Sequence, residues 1–324
     1  MKLHEALSDF IDLIRLTAQD LKIREVYVEK DYWVIFVLKR LSQHAEREHV
    51  VFKGGTSLSK AYKLVHRFSE DVDLAVIKGQ ATKASIERLI KSVAKDITAA
   101  PLVEVTDPQV TSKKGQSRRT LHRYPRHLAE EDFGQVRKEI LLEMNCFGEP
   151  HPNAKIKIAS YIAEFLEKID RPKDIFEFGL EPFEVLVLDK RTTFVEKVLS
   201  LAYASFADGN APMKEVRERV RHFYDLTLIL GDPAINNFLG NGDFVELLRK
   251  IRAEEKLASR IKWVDRRLGE CRLISKTEEQ LKEVEGYFRA DLEPMLFSPE
   301  ALPKFADVAG AFRKISKMIR DADL

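Results

Sequence analysis

The sequence predicts an α+β fold, with a mixed α/β half followed by a helical half. As far as residue 188, short apolar runs of strand length alternate with segments in which apolar residues recur three and four positions apart. After residue 189 the helical pattern continues to the end of the chain. We therefore predict two domains, 1–188 and 189–324.

Bulk composition limits the classes of protein that this chain can represent. It has 324 residues, 44% of them hydrophobic, which is enough for a substantial core. A net charge of +2 with 33% charged residues gives no global bias towards nucleic acid or membranes. Cys146 and Cys271 lie far apart, which argues against a zinc site or a disulfide framework. Without a signal peptide or a long apolar run, we expect a cytoplasmic protein with no membrane contact.

Each predicted element follows from its local pattern. Amphipathic periodicity predicts helices, and apolar runs bounded by turn residues predict strands. In chain order these are helices 3–21 and 28–41, strand 49–53, helix 56–65, strand 72–77, helix 83–99, and strands 136–147 and 182–188. Thr192 and Thr193 then follow as candidate N-caps of the first helix in the second half.

Two carboxylates at alternate strand positions are the main candidates for chemistry. Asp71 and Asp73 are separated by one residue, so in a strand both side chains point to the same face. Mg²⁺ prefers carboxylate oxygens and keeps substrate phosphates among its ligands. Glu143, near the end of the predicted strand 136–147, is the candidate for a third metal ligand.

A glycine turn comes shortly before this acid pair. Gly54 and Gly55 have no Cβ, so the backbone there can approach phosphate oxygens closely. The amides of Thr56 and Ser57 at the start of the next helix, and the Ser57 hydroxyl, are candidate donors to phosphate. A P-loop would need Gly at Ser59 and Ser or Thr at Ala61, and the chain has neither. The turn and the acid pair together favour nucleotidyl transfer.

One segment carries basic residues and no acidic ones. Within 111–127 these are Lys113, Lys114, Arg118, Arg119, Arg123 and Arg126. Such a run can neutralise the phosphates of an RNA backbone, with Tyr124 as a candidate for stacking on a base. The alternative is a solvated surface loop.

Four ordered motifs resemble those of the AbiEii/AbiGii family of nucleotidyltransferase toxins. They are Gly54-Gly-Thr-Ser57, Arg67-Phe-Ser-x-Asp71-Val-Asp-Leu74, Thr193-Phe-Val-Glu-Lys197 and Arg221-His-Phe-Tyr-Asp225-Leu. The segment Glu29-Lys-Asp-Tyr-Trp33 is also similar to the opening helix of that family. The resemblance extends over residues 28–230, and so over most of the chain.

This resemblance implies a polymerase-beta-like nucleotidyltransferase core with N-terminal helices and a C-terminal helical domain. It implies the toxin of a bacterial toxin-antitoxin or phage-defence pair, with an antitoxin as partner. The reaction implied is Mg²⁺-dependent transfer of a nucleotide from an NTP to RNA, at the tRNA 3′ end, which blocks translation. Direct binding of the antitoxin stays open.

The resemblance also implies roles for individual residues. Gly55 and Ser57 would hold the triphosphate, and Asp71 and Asp73 would bind magnesium. Lys197 would contact phosphate, and Asp225 would complete the site. Arg67 and Ser69 match the Arg-Phe-Ser of the family and would support nucleotide binding.

Several alternatives remain open from the residues alone. Lys197 can be a solvated surface residue of its helix, and Asp225 can be a structural partner of Arg221 or Arg217. The same metal site could nucleotidylate a small molecule. A regulatory protein that binds NTP without turnover is a third possibility.

Overall fold

The structure, a computed structural model, describes residues 1–69, 71–128, 137–208, 213–257 and 264–324. The chain divides into two compact units, the first comprising residues 1–63 and 68–188 and the second comprising residues 64–67 and 189–324. The short segment 64–67 thus packs with the second unit, although the sequence predicts it within the first domain.

The first unit alternates helices and strands. Its helices are α1 (Leu7–Leu21), α2 (Glu25–Gln43), α3 (Gly54–Lys60), α4 (Lys83–Ile97), α5 (Tyr161–Lys168) and α6 (Pro172–Glu177). Its strands are β1 (Val50–Lys53), β2 (Asp71–Val76), β3 (Val103–Val105), β4 (Ser112–Lys114), β5 (Ser117–Arg123), β6 (Ile140–Asn145), β7 (Asn153–Ile158) and β8 (Phe183–Leu188).

The described part of the second unit is built from helices. They are α7 (Lys190–Asp208), α8 (Lys214–Arg217), α9 (Val220–Ile229), α10 (Pro233–Gly240), α11 (Asp243–Leu257), α12 (Arg272–Ser275), α13 (Thr277–Leu292) and α14 (Phe305–Asp321). The predicted α+β class is therefore confirmed. Among the described helices, none is both long enough and apolar enough to cross a membrane.

The strands described in the first unit form one mixed sheet. Their order is β3-β5-β6-β2-β1-β8-β7, and β4 pairs with β5 outside this path. β2 pairs in parallel with β6, and β1 in parallel with β8, while the other pairs are antiparallel. Antiparallel pairing of β1 with β2 brings the end of β1 beside the start of β2, where the acid pair lies.

The main core lies on one face of this sheet, against α2 and α4. Phe52, Leu74 and Leu142 point to that face and belong to the same buried cluster as Trp33 of α2 and Ile90 of α4. Side chains alternate between the two faces of a strand, so the residues next to these in sequence point away from the core. The acid pair is among them.

Two predicted boundaries around the core differ from the structure. The helix predicted over 56–65 begins at Gly54 and ends at Lys60, so α3 follows β1 without an intervening turn. The strand predicted over 136–147 is confined to Ile140–Asn145, and Val136 lies outside the described residues.

The predicted N-cap of the first helix in the second unit is wrong. α7 begins at Lys190, so Thr192 and Thr193 lie inside the helix, where both are buried. At the start of the helix, Asp189 Oδ1 instead accepts a hydrogen bond from the backbone amide of Arg191 at 2.8 Å. An Asp satisfies the exposed amides of a helix start in the same way as a Thr.

A buried ion pair ties α3 to α2. Lys60 Nζ lies 2.7 Å from Asp31 Oδ1, and the two side chains are only 2% and 5% exposed. The Lys60 ammonium also lies 3.6 Å from the centroid of the Tyr161 ring, and the backbone amide of Tyr161 donates to Asp31. Burial raises the pKa of Asp31 and lowers that of Lys60, against the attraction between them. The pair therefore joins three helices at a site that tolerates no unpaired charge.

We expect Asp31→Asn to destabilise the protein by about 3–5 kcal/mol, because it leaves the buried Lys60 ammonium unpaired. Urea denaturation at neutral pH measures this loss. The double variant Asp31→Asn, Lys60→Met should recover much of it, since no buried charge then remains. Glu48→Gln, which breaks the half-exposed pair of Glu48 with Lys155, is the matched control and should change little. An unchanged midpoint in Asp31→Asn would contradict the assignment.

Candidate active site

The acid pair lies at the start of β2, on the face turned away from the core. Asp71 and Asp73 are both partly exposed, whereas Val72 and Leu74 between and after them are buried. This alternation places both carboxylates on one face of the central strand. Two such acids can share a cation.

Gly54 lies directly against this face. β1 pairs with β2 so that Lys53 is opposite Asp73, which brings the next residue, Gly54, onto the carboxylate. A Cβ at Gly54 would lie 2.2 Å from Asp73 Oδ2, and the backbone there has a φ of +79°. Glycine is therefore required for two reasons, the left-handed backbone and the close approach to an acid. The sequence prediction named only the approach of phosphate.

The hydroxyl groups of Thr56 and Ser57, next to this contact, form hydrogen bonds within the protein. Thr56 Oγ1 donates to the carbonyl oxygen of Asp71 at 2.7 Å and lies 2.8 Å from Ser69 Oγ. Ser57 Oγ donates to the carbonyl oxygen of Gly54 at 2.9 Å. Gly55 lies buried in the same first turn of α3. These contacts tie α3 to the strand that carries the acids.

Glu143 lies beside the acid pair and is held by an arginine. On β6 it is directly opposite Asp73, and on its other side it is opposite Arg119 of β5. Arg119 Nε lies 2.7 Å from Glu143 Oε1. Within the described ranges, no group of three or more His, Cys, Asp or Glu side chains could hold a metal ion. The structure thus does not assemble the predicted set of three metal ligands.

The basic segment folds as the hairpin of β4 and β5, and its residues divide between the two faces of the sheet. Arg119 lies opposite Glu143, on the face of the acid pair. Lys113 and Arg118 are opposite each other on the other face, where both form ion pairs with Glu104. Lys114 and Arg123 are exposed. The segment is not a continuous strip along one surface.

Tyr124 and Arg126, the other two residues of this segment that are candidates for RNA contact, lie against other parts of the protein. The prediction that Tyr124 stacks on a base is wrong, because Tyr124 is only 2% exposed and stacks on Trp33. Arg126 is close enough to the buried Glu29 that its charge lowers the pKa of that carboxyl, against the larger effect of burial, which raises it.

A second charged cluster lies within the second unit. The guanidinium of Arg67 donates two hydrogen bonds to Asp225, from Nε to Oδ1 and from Nη2 to Oδ2, both at 2.7 Å. Lys197 Nζ lies 2.8 Å from Asp225 Oδ2. The side chains of Arg67, Asp225 and Lys197 are 1%, 0% and 7% exposed. Lys197 is therefore a buried residue rather than a solvated one, and the partners of Asp225 include Arg67, far away in the sequence.

Two cations face one carboxylate in this cluster. Burial raises the pKa of the Asp225 carboxyl, but Arg67 and Lys197 outweigh burial and hold that pKa well below its ordinary value. Burial lowers the pKa of the Lys197 ammonium, against the attraction of Asp225. Counted by formal charge, the two basic side chains Arg67 and Lys197 outnumber the single carboxylate of Asp225 by one.

Comparison with known proteins identifies the family. The family model described as nucleotidyl transferase AbiEii toxin, type IV TA system, matches residues 37–311, which is well over half of the chain. The chain belongs to the AbiEii family. It is a nucleotidyltransferase toxin of a type IV toxin-antitoxin system. The motif resemblance found in the sequence is thereby confirmed.

Solved structures and curated proteins add little to this assignment. MenT4, a nucleotidyltransferase toxin from Mycobacterium tuberculosis H37Rv, matches with 15% sequence identity and a TM-score of 0.41, over 86% of this chain and 98% of that one. A search of curated proteins finds no significant match.

His222 is a further residue of the AbiEii chain near the second cluster, and sequence reasoning did not single it out. Burial lowers its pKa well below the usual value, and the charges of Lys197 and Arg221 lower it further, so the imidazole is neutral at pH 7. Its place three positions before Asp225, on the same side of α9, is the signal that could have found it. No local signal links Arg67 to Asp225.

We expect Gly54→Ala to lower the rate of nucleotide transfer by this AbiEii enzyme by roughly 10²-fold. The new Cβ would collide with Asp73 Oδ2, and displacing a reacting group by about 1 Å costs that much. Steady-state kinetics measure the loss.

The matched control for Gly54→Ala is Gly286→Ala on α13, where a Cβ would meet no atom within 4 Å. This variant should keep full activity. Equal activity of Gly54→Ala and the wild type would show that the contact does not shape the site.

Proposed function

We propose that this chain transfers a nucleotide from an NTP to the 3′ hydroxyl of an RNA, at the face of β2 that carries Asp71 and Asp73. The observation that carries the proposal is this pair of partly exposed carboxylates on one strand face, closed on one side by Gly54. A nucleotidyltransferase needs a place where negative phosphates and a metal cation can meet. Acids beside a glycine at a strand-to-helix junction suit that need.

Magnesium fits the donors at this site. It is commonly bound by one or two carboxylates, with substrate phosphates and water completing its shell. Asp71 and Asp73 would hold it, whereas Glu143 is held by Arg119 and is left out of the proposal. When bound, the metal neutralises negative charge on the phosphates of the NTP.

The residues of the chain then have distinct tasks in the reaction. The 3′ hydroxyl oxygen of the acceptor attacks the α-phosphorus of the NTP. The bond from that phosphorus to the bridging oxygen breaks, pyrophosphate leaves, and the hydroxyl proton is released. The start of α3, Gly54–Ser57, binds the triphosphate, and the Thr56 hydroxyl keeps α3 fixed to β2.

The family resemblance supports a phosphate-binding role for Lys197 in the second unit. The excess positive charge of the cluster with Arg67 and Asp225 suits an anionic ligand. Asp225 positions the ammonium, and Arg67 positions Asp225, through the contacts described above. Arg67 thus supports nucleotide binding without touching the nucleotide.

The acceptor that we propose is RNA, at the tRNA 3′ end, so that transfer blocks translation. Membership of a toxin family supports a macromolecular target with consequences for growth. The exposed cations on the hairpin of β4 and β5 are suited to phosphates. A toxin of this type has an antitoxin partner.

We expect the double variant Asp71→Asn, Asp73→Asn to lose nucleotide transfer by ~10³-fold or more. A bound metal contributes several kcal/mol to the transition state, and each ~1.4 kcal/mol is a factor of ten. Transfer of label from NTP to RNA measures activity, and growth on induction measures toxicity. Both should disappear together.

The matched control removes two exposed carboxylates from α1 in the same unit, with Asp9→Asn and Asp12→Asn. It makes the same change in charge and should remain active and toxic. Toxicity that persists in the Asp71, Asp73 variant would refute the proposed reaction.

A further inference from the structure

Across the sheet, one row of charged side chains leads from the acid pair to the hairpin of β4 and β5. The pairing register places Lys53, Asp73, Glu143 and Arg119 side by side on β1, β2, β6 and β5. Residues directly opposite each other in a sheet share a face. Arg119 therefore stands on the same face as Asp73, two strands and roughly 10 Å away.

The surface beside this row is also accessible. The next positions on this face are the buried Ala75 of β2, then Asn145 of β6, Ser117 of β5 and Lys114 of β4, in register with one another. Asn145 and Ser117 are partly exposed, and Lys114 is exposed. The acid pair thus borders a polar surface that ends in the two cations Arg119 and Lys114.

On the other side of this row, the neighbouring side chains on the same face of the sheet are buried. Leu121 of β5 and Leu141 of β6, which lie in register with Asp71, are only 3% and 2% exposed. Arg123 lies two positions beyond Leu121 and is separated from Arg119 by this buried residue. An extended ligand that leaves the acid pair across this face therefore meets Arg119 and Lys114 rather than Arg123.

We propose that this surface carries the acceptor strand: the backbone phosphates of a single-stranded RNA 3′ end lie on Arg119 and Lys114, with the terminal hydroxyl at Asp71 and Asp73. This inference rests on the proposed function and adds the path of the acceptor. Arg119 and Lys114 act as positioning residues that do not touch the reacting atoms. Glu143 forms an ion pair with Arg119 and so holds the guanidinium beside the acid pair.

The hairpin contains its own matched control. Lys113 and Arg118 are the sequence neighbours of Lys114 and Arg119, but they point to the opposite face and form ion pairs with Glu104. The pair Lys114→Gln, Arg119→Gln and the pair Lys113→Gln, Arg118→Gln remove the same charge from the same two strands. The two pairs differ in the face of the sheet and in the ion pairs that Lys113 and Arg118 form with Glu104.

The first measurement is the affinity for a short fluorescein-labelled single-stranded RNA of mixed sequence, by anisotropy across a range of salt. Each neutralised phosphate of a single strand contributes about 0.7 to the slope of log affinity against log salt. Lys114→Gln, Arg119→Gln should therefore reduce that slope by about 1.4. Lys113→Gln, Arg118→Gln should leave it unchanged.

The second measurement is steady-state transfer of labelled nucleotide to RNA. Lys114→Gln, Arg119→Gln should raise the KM for RNA while keeping the KM for NTP and kcat at saturating RNA. A fall in kcat at unchanged KM would overturn the positioning role. Circular dichroism confirms that both double variants fold.

Glu143→Gln separates two roles for this carboxylate. If Glu143 only orients Arg119, the variant keeps kcat, and its effect is confined to the KM for RNA. Loss of kcat by a hundredfold or more would make Glu143 a metal ligand and overturn its assignment here.

The outcomes distinguish this inference from the function on which it rests. If the wild type transfers nucleotide to RNA and the two double variants behave alike, the path of the acceptor is wrong and the function stands. If the wild type labels no RNA, or labels protein instead, both proposals fail.

Discussion

The contact of Gly54 with Asp73 is the constraint on which the site in the first unit depends. Antiparallel pairing of β1 with β2 places the last residue of β1 opposite Asp73, so the chain must start α3 against a carboxylate. Glycine is favoured there because the backbone has a φ of +79° and a Cβ would lie 2.2 Å from Asp73 Oδ2 and 3.1 Å from Asp73 Cβ. The bond from Thr56 to the carbonyl of Asp71 and the ion pair of Lys60 with Asp31 then fix the helix at both ends. The geometry of the acid pair follows from these contacts.

Buried charge is the second theme of the structure. Asp225 lies between Arg67 and Lys197, and Asp31 lies against Lys60, all with side chains that are almost fully buried. Burying such groups costs desolvation free energy, so these ion pairs fix the positions of side chains more than they stabilise the fold. The charges of Asp31 and Lys60 cancel, and this ion pair connects α2 with α3. In the second cluster one positive charge remains in excess, which suits a phosphate ligand. Buried ion pairs thus join helices in the first unit and, in our proposal, bind substrate in the second.

The sequence predicts those features that depend on neighbouring residues. Periodicity locates the helices and strands of the core, and the alternation of Asp71 with buried Val72 is visible as a pattern. Features that depend on the pairing between strands cannot be predicted from neighbouring residues. That Arg118 and Arg119 belong to opposite faces, or that Glu143 lies between Asp73 and Arg119, follows from the register of β5, β6 and β2. The pairing of Arg67 with Asp225 joins distant segments, so no local pattern could predict it. The basic residues around Tyr124 in the sequence indicate a surface position, whereas its packing on Trp33 depends on a distant segment.

We propose that this chain moves a nucleotide from NTP to RNA in a reaction that needs magnesium. The most direct test is incubation of the wild-type protein with total RNA and each of the four labelled NTPs in turn, with magnesium present or withheld. We expect label to enter RNA with release of an equal amount of pyrophosphate, and only when magnesium is present. Tight binding of NTP with no label transferred to RNA and no pyrophosphate released would contradict it.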